Sequence, residues 1–101
     1  MLTSKQRAQL RGLAATEDTI VHIGKGGITD NIVTQMNDAL KARELVKGRV
    51  LENSLLTARE ACDRLAVTCR AEPVQVIGSK FVLYKRNEQK PKIELVKKAK
   101  K

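Results

Sequence analysis

Aromatic residues are nearly missing from this chain: there is no Trp, and Phe81 and Tyr84 are the only Phe and Tyr in 101 residues. Domains that read single-stranded bases by stacking present an aromatic platform, so an RRM or cold-shock mode of recognition is disfavoured. Phe81 is expected in the core. Tyr84, on the opposite strand face, is open to a core, rim or base-stacking role. Cysteine is equally scarce. Cys62 and Cys69 stand seven apart, neither a CxxC pair nor half of a zinc site, and His22 is the single histidine. Two helical turns between the thiols are too many for a local disulfide, so a reducing cytoplasm is the expected location. No apolar run approaches the ~18 residues of a membrane span, and the first fifteen residues hold no signal-peptide core. The acids form no pair and no nucleophile is cued beside His22. Neither catalysis, nor a cofactor, a metal or a small-molecule substrate is therefore expected.

Positive charge is what the chain has in excess. Twenty Lys and Arg face eleven Asp and Glu, a formal charge of +9 and a pI near 10. Such an imbalance pulls toward a polyanion, nucleic acid ahead of an anionic membrane surface. The segment 87–101, with lysines at 90, 92, 97, 98, 100 and 101, holds +4 of the total and residues 1–86 hold +5. The part that folds is thus basic in its own right. At this length, with 42% hydrophobic residues, one domain over residues 1–86 with a flexible lysine-rich tail over 87–101 is expected.

The local patterns give an order of elements. Thr3 and Gln6 make a capping box for a helix over 3–15, with Leu10, Leu13 and Ala14 as its apolar stripe. Thr19–Ile23 is β-rich with little alternation, which predicts a strand covered on both faces. A second helix over about 30–43 starts at Thr29, with Ile28 and Val33 spaced as a hydrophobic staple. In Leu45–Leu51, Val46, Gly48 and Val50 point one way while Lys47 and Arg49 point the other, so one face meets water or an anion. Asn53 and Ser54 are read as caps of a third helix reaching about Ala71. Pro73–Ile77 and Phe81–Arg86 read as strands of a hairpin turning at Gly78-Ser79. The α-β-α-β-α-β-β order predicts a small α/β domain with a mixed four-stranded sheet whose last hairpin is antiparallel.

The sharpest local feature is Gly24-Lys25-Gly26-Gly27, between a strand and a helix N-terminus. Free amides and the helix dipole favour an anion there, glycines admit close backbone approach, and Lys25 adds a charge. The run is neither a Walker loop nor GxGxxG, and a GxxG also arises as a plain tight turn. Lys5, Arg7, Arg11, Lys47 and Arg49 are expected at exposed positions, as a solvated surface or as an electrostatic footprint. The like-charged pair Arg7 and Arg11 at i,i+4 favours the footprint, because it is mildly destabilising in a helix. Lys80, Lys85 and Arg86 can extend it.

The stretches LTSKQRAQLRGLA, IGKGGIT, ELVKGRVL and VQVIGSKFVLYKR together resemble the bacterial YhbY proteins, including their YqeI-type members, which are stand-alone CRM-domain RNA-binding proteins. The likeness runs from about Leu2 to Arg86. It implies a fold similar to the C-terminal domain of translation initiation factor 3, and binding to ribosomal RNA on precursor large subunits as an assembly factor. It places the GxxG loop on Gly24, Lys25, Gly26 and Gly27 and the basic first helix on Lys5, Arg7 and Arg11. The lysine tail is not part of the shared pattern. A monomer is expected. The alternatives are an adaptor docking on a ribosomal protein, and a general DNA-binding protein.

Overall fold

The computed structural model describes residues 2–87, 89, 93 and 95. Local signals set the helix starts. Thr3 Oγ1 accepts the Gln6 N–H at 3.1 Å and Gln6 Oε1 accepts the Thr3 N–H at 3.0 Å, which opens α1, Ser4–Ala14. Strand β1, Thr19–Ile23, leads through the glycine run to α2, Asp30–Arg43, capped by Thr29. Then come β2, Leu45–Val50, α3, Ala58–Cys69, and the hairpin β3, Glu72–Ile77, with β4, Lys80–Tyr84. Gly78 makes the hairpin turn at a φ of +58°, the left-handed region in which glycine is unstrained.

The strand order is β1-β2-β4-β3. β1 runs parallel to β2, while β4 is antiparallel to both β2 and β3. This is the mixed four-stranded sheet expected, and it lies between two helical layers. On one face α2 and α3 bury Val21, Ile23, Val46, Phe81 and Leu83 together with Met36, Leu40 and Leu65. On the other, α1 lays Leu10 and Ala14 over Leu45, Val74, Val82 and Tyr84. Burying each large apolar side chain contributes about 2–3 kcal/mol, and such side chains hold the three layers together.

Leu13, expected in the apolar stripe of α1, is 41% exposed, and the buried face of that helix is Gln6, Leu10 and Ala14. Two further features depart from the sequence reading. The third helix starts at Thr57, not at Asn53 or Ser54. Thr57 and Glu60 form a reciprocal capping box, with N–H···O distances of 3.1 and 2.9 Å. The Ser54 hydroxyl instead accepts the Leu56 N–H inside the preceding turn. β1 is not covered on both faces either. α1 crosses β2, β3 and β4 and leaves β1 bare on that side, so His22 is exposed.

A buried acid ties down the C-terminal end of the described chain. Glu44, at the end of α2 with φ +64°, is fully buried. Its carboxylate accepts the N–H of Asn87 at 2.6 Å and of Ile93 at 2.7 Å. Ile93 and Leu95 then pack, with Leu2, against the α1-side cluster. The rest of the lysine-rich segment from 88 onward lies outside the described residues. Tyr84, opposite Leu45 and Glu72, is buried, so its ring is unavailable for stacking. Desolvation and then the nearby Glu44 charge push its phenol pKa up.

Candidate nucleic-acid interface

Register decides which cations meet. His22 stands opposite Arg49, and Arg49 opposite Lys80, which in turn faces Ile77 on β3. That rung crosses all four strands on the α1 side of the sheet. The next rung places Lys47 opposite Val82 and Val82 opposite Gln75. Like charges directly opposite one another on a sheet are destabilising, so the Arg49–Lys80 pair is kept at a cost.

α1 runs along this face with its C-terminal half toward the charged rungs. Arg11 therefore lines a cleft with Lys47 and Lys80. Arg7 sits one turn behind Arg11 on the same side of the helix and is half-buried. Lys5 is exposed, and at 100° per residue it lies about 240° around the helix from Arg11, away from the cleft. Of the three helix residues, then, only Arg11 joins the sheet cations. Lys47 is half-buried and donates to the Glu17 backbone carbonyl at 3.4 Å, keeping its charge free of any carboxylate. Within the described residues no carboxylate lies within 4 Å of Arg11, Lys25, Arg49 or Lys80; the one ion pair with a measured distance is Arg43–Glu17 at 3.6 Å.

The glycine loop leaves the same end of the sheet. The Gly27 N–H donates to the Gly24 carbonyl at 3.0 Å, closing a turn that projects Lys25 and Gly26 into solvent. Gly27 has φ +70°. Thr29 Oγ1 accepts the Ile32 N–H at 3.3 Å, while the Lys25 and Gly26 amides make no hydrogen bond within the described residues. Leu51, Asn53 and Leu56 flank the loop without filling it. Lys25 is three residues beyond His22, hence within ~11 Å of it along the chain. Asp30, in the first turn of α2, takes up part of the helix dipole and competes with any bound anion.

The sequence reading missed His22 as an exposed neighbour of Arg49, and it missed Gln75 altogether. Pairing register supplies both, and no local pattern encodes it. Among the described residues no three His, Cys, Asp or Glu side chains form a metal-holding group, and no helix is long and apolar enough to cross a membrane.

The family model described as the CRS1/YhbY (CRM) domain matches residues 2–85. This chain belongs to the CRM domain family. It is 41% identical over 95 residues to the Bacillus subtilis protein named "Probable RNA-binding protein YqeI", spanning 94% of this chain and 99% of that one. A Haemophilus influenzae protein named "RNA-binding protein" is 32% identical over 97 residues, spanning 96% and 97% of the two chains. The solution structure of a hypothetical protein from Staphylococcus aureus superposes with a TM-score of 0.79 at 45% identity, over 95% of this chain and all of that one. These relatives are named for RNA binding and not for catalysis. The glycine loop and the charged rungs both fall inside the stretch that the CRM model matches.

Proposed function

We propose that this CRM domain binds ribosomal RNA on precursor large ribosomal subunits, as a monomeric, cytoplasmic assembly factor that needs no cofactor. One observation carries the phosphate-binding part of the reading: Arg11, Lys47, Arg49 and Lys80 share one face, unpaired with acids, at the end of the sheet where the Gly24–Gly27 loop opens. The relatives named as RNA-binding proteins support RNA as the polyanion, and the ribosomal target is what the resemblance to YhbY proteins implies. Backbone phosphates settle against the loop amides and Lys25, and the rungs hold the flanking phosphates.

The magnitude follows from counterion release. If Arg11, Lys25, Lys47, Arg49 and Lys80 each neutralise one phosphate of a single strand, log K falls with log salt at a slope of about −3.5. A fourfold rise in salt then weakens binding about 100-fold. Filter binding across a salt series is the test, with Arg49→Ala/Lys80→Ala expected to flatten the slope by about 1.4. A flat series, or an unchanged slope in the double variant, rejects the interface. Crosslinking to RNA in growing cells, with sites mapped to nucleotides, tests the ribosomal target.

A second reading, docking on a ribosomal protein, is favoured by Leu55, 94% exposed in the turn before α3, and by Val67, 80% exposed beside Ile28 and Val33 between α2 and α3. Ribosome association that survives removal of the RNA would support it. Equal affinity for duplex DNA would instead indicate a general nucleic-acid binder.

A further inference from the structure

We infer that the cleft between the C-terminal half of α1 and the charged rungs takes an unstacked base of the bound RNA. The inference rests on the RNA-binding reading above and adds to it a base-reading subsite with no aromatic ring in it: Phe81 lines the cleft, but its ring packs over Gly48 on the opposite face of the sheet. Ala14 and Val82, both buried, form the apolar floor, and Ile77 stands at the edge with 62% of its surface exposed. An exposed isoleucine beside an open apolar floor offers a flat contact for the face of a base. Gln75 lines the same cleft, half-buried, and its side-chain amide makes no hydrogen bond within the described residues. A free carboxamide presents a donor and an acceptor side by side, the pattern that pairs with the edge of a base once it leaves the stack.

Charge selects the occupant. Arg11, Lys47 and Lys80 ring the opening and no carboxylate lines it. An apolar slot rimmed by three cations matches a nucleotide, whose uncharged ring enters while the phosphates on either side remain at the rim. It matches an uncharged or basic peptide poorly. This also bears on the missing aromatic platform: a base held between aliphatic walls and read by an amide needs no ring beneath it.

The test separates base from backbone. Affinities are measured for a single-stranded oligoribonucleotide of about ten residues and for a ribose-phosphate oligomer with the same number of phosphates and no bases. The wild-type protein is expected to prefer the base-bearing strand about tenfold. Gln75→Leu is expected to lose that preference while keeping the salt slope, and Ile77→Ala to reduce it. Equal wild-type affinity for the two strands needs no variant to interpret. It would overturn the inference and leave the phosphate interface standing, with the cleft assigned to another occupant, such as an aliphatic side chain of an acidic peptide. A Gln75→Leu protein that is folded by circular dichroism and retains the preference would overturn it too. Failure of the wild type to bind either strand in a salt-dependent way would remove the RNA-binding reading and this inference together.

Discussion

Gly48 lies directly opposite Phe81 in the β2–β4 ladder, and the Phe81 ring covers it. A Cβ at position 48 would lie 2.4 Å from Phe81 Cζ, 2.8 Å from Cε1 and 3.0 Å from Cε2. Three ring atoms would have to move, and the ring is 1% exposed within the core that α2 and α3 cover. Gly48→Ala gains about 0.5–1 kcal/mol from the lower backbone entropy of alanine in a strand. Against this, overpacking a filled core costs about 1–3 kcal/mol, and contact with the whole ring end places this site at the upper limit. The net expectation is a destabilisation of about 2 kcal/mol. For a domain of this size that lowers Tm by about 8–16 °C. Urea unfolding and thermal circular dichroism measure it, and Phe81→Leu in the same background should recover part of the loss, giving a positive coupling in a double-mutant cycle. Lys47 and Arg49 flank Gly48 but face away from the ring, so the RNA affinity of the folded fraction should hold. A Gly48→Ala protein as stable as the wild type would refute the packing argument.

Glu44→Gln keeps the side-chain shape but replaces a charged double acceptor, so it should cost about 1–2 kcal/mol and speed amide exchange at Asn87 and Ile93; unchanged protection at those amides would contradict the clamp. Burial, assisted by Asp63, pushes the Cys62 thiol up to about 11 from 9.0. Its thiolate fraction near neutral pH is therefore about 100-fold below that of a free thiol, and alkylation of the native protein should be slow by that factor. Because the folded pKa is raised, the stabilisation from Cys62 is complete below the unfolded value and is lost as pH climbs from 9.0 through about 11, so urea midpoints should fall across that window and fall less in Cys62→Ala. Thr57→Ala should cost about 1 kcal/mol by opening the α3 cap, read as a lower urea midpoint. Hydrogen bonds from Thr57 hold the exposed Glu60 carboxyl below its ordinary 4.5, so this contribution is present above that value and fades as pH falls; Glu60→Gln should flatten the acid limb of the stability curve.

The sequence carries its local instructions openly. The Thr3–Gln6 box, the Thr29 cap and the split faces of Leu45–Val50 each lie within a few residues of one another, and each appears in the structure where it was read. The errors have physical causes. Asn53 and Ser54 are as good caps in isolation as Thr57, but Glu60 sits three residues after Thr57 and completes the reciprocal pair there. β1 reads as a doubly covered strand because nothing local to it says that α1 will cross the other three strands. Glu44 looks like an ordinary surface acid until Asn87 and Ile93, more than forty residues away, bring their amides to it. The proposed interface follows the same rule. Lys25 and the glycines are visible as a motif, Arg49 and Lys80 become neighbours only through the β2–β4 register, and Gln75 enters the cleft only once β3 is paired to β4.

Leu2, Ile93 and Leu95 meet over one small cluster beside Tyr84. On β2, Leu45 opposite Tyr84 and Arg49 opposite Lys80 are four residues apart, which puts the Arg49–Lys80 rung about 13 Å away along the strand. The first and last described residues thus share one corner, apart from the proposed RNA-binding rung at Arg49 and Lys80, and partners fused at that corner would not cover it. Copies spliced in tandem, or a version with joined ends reopened elsewhere, would each leave that rung free.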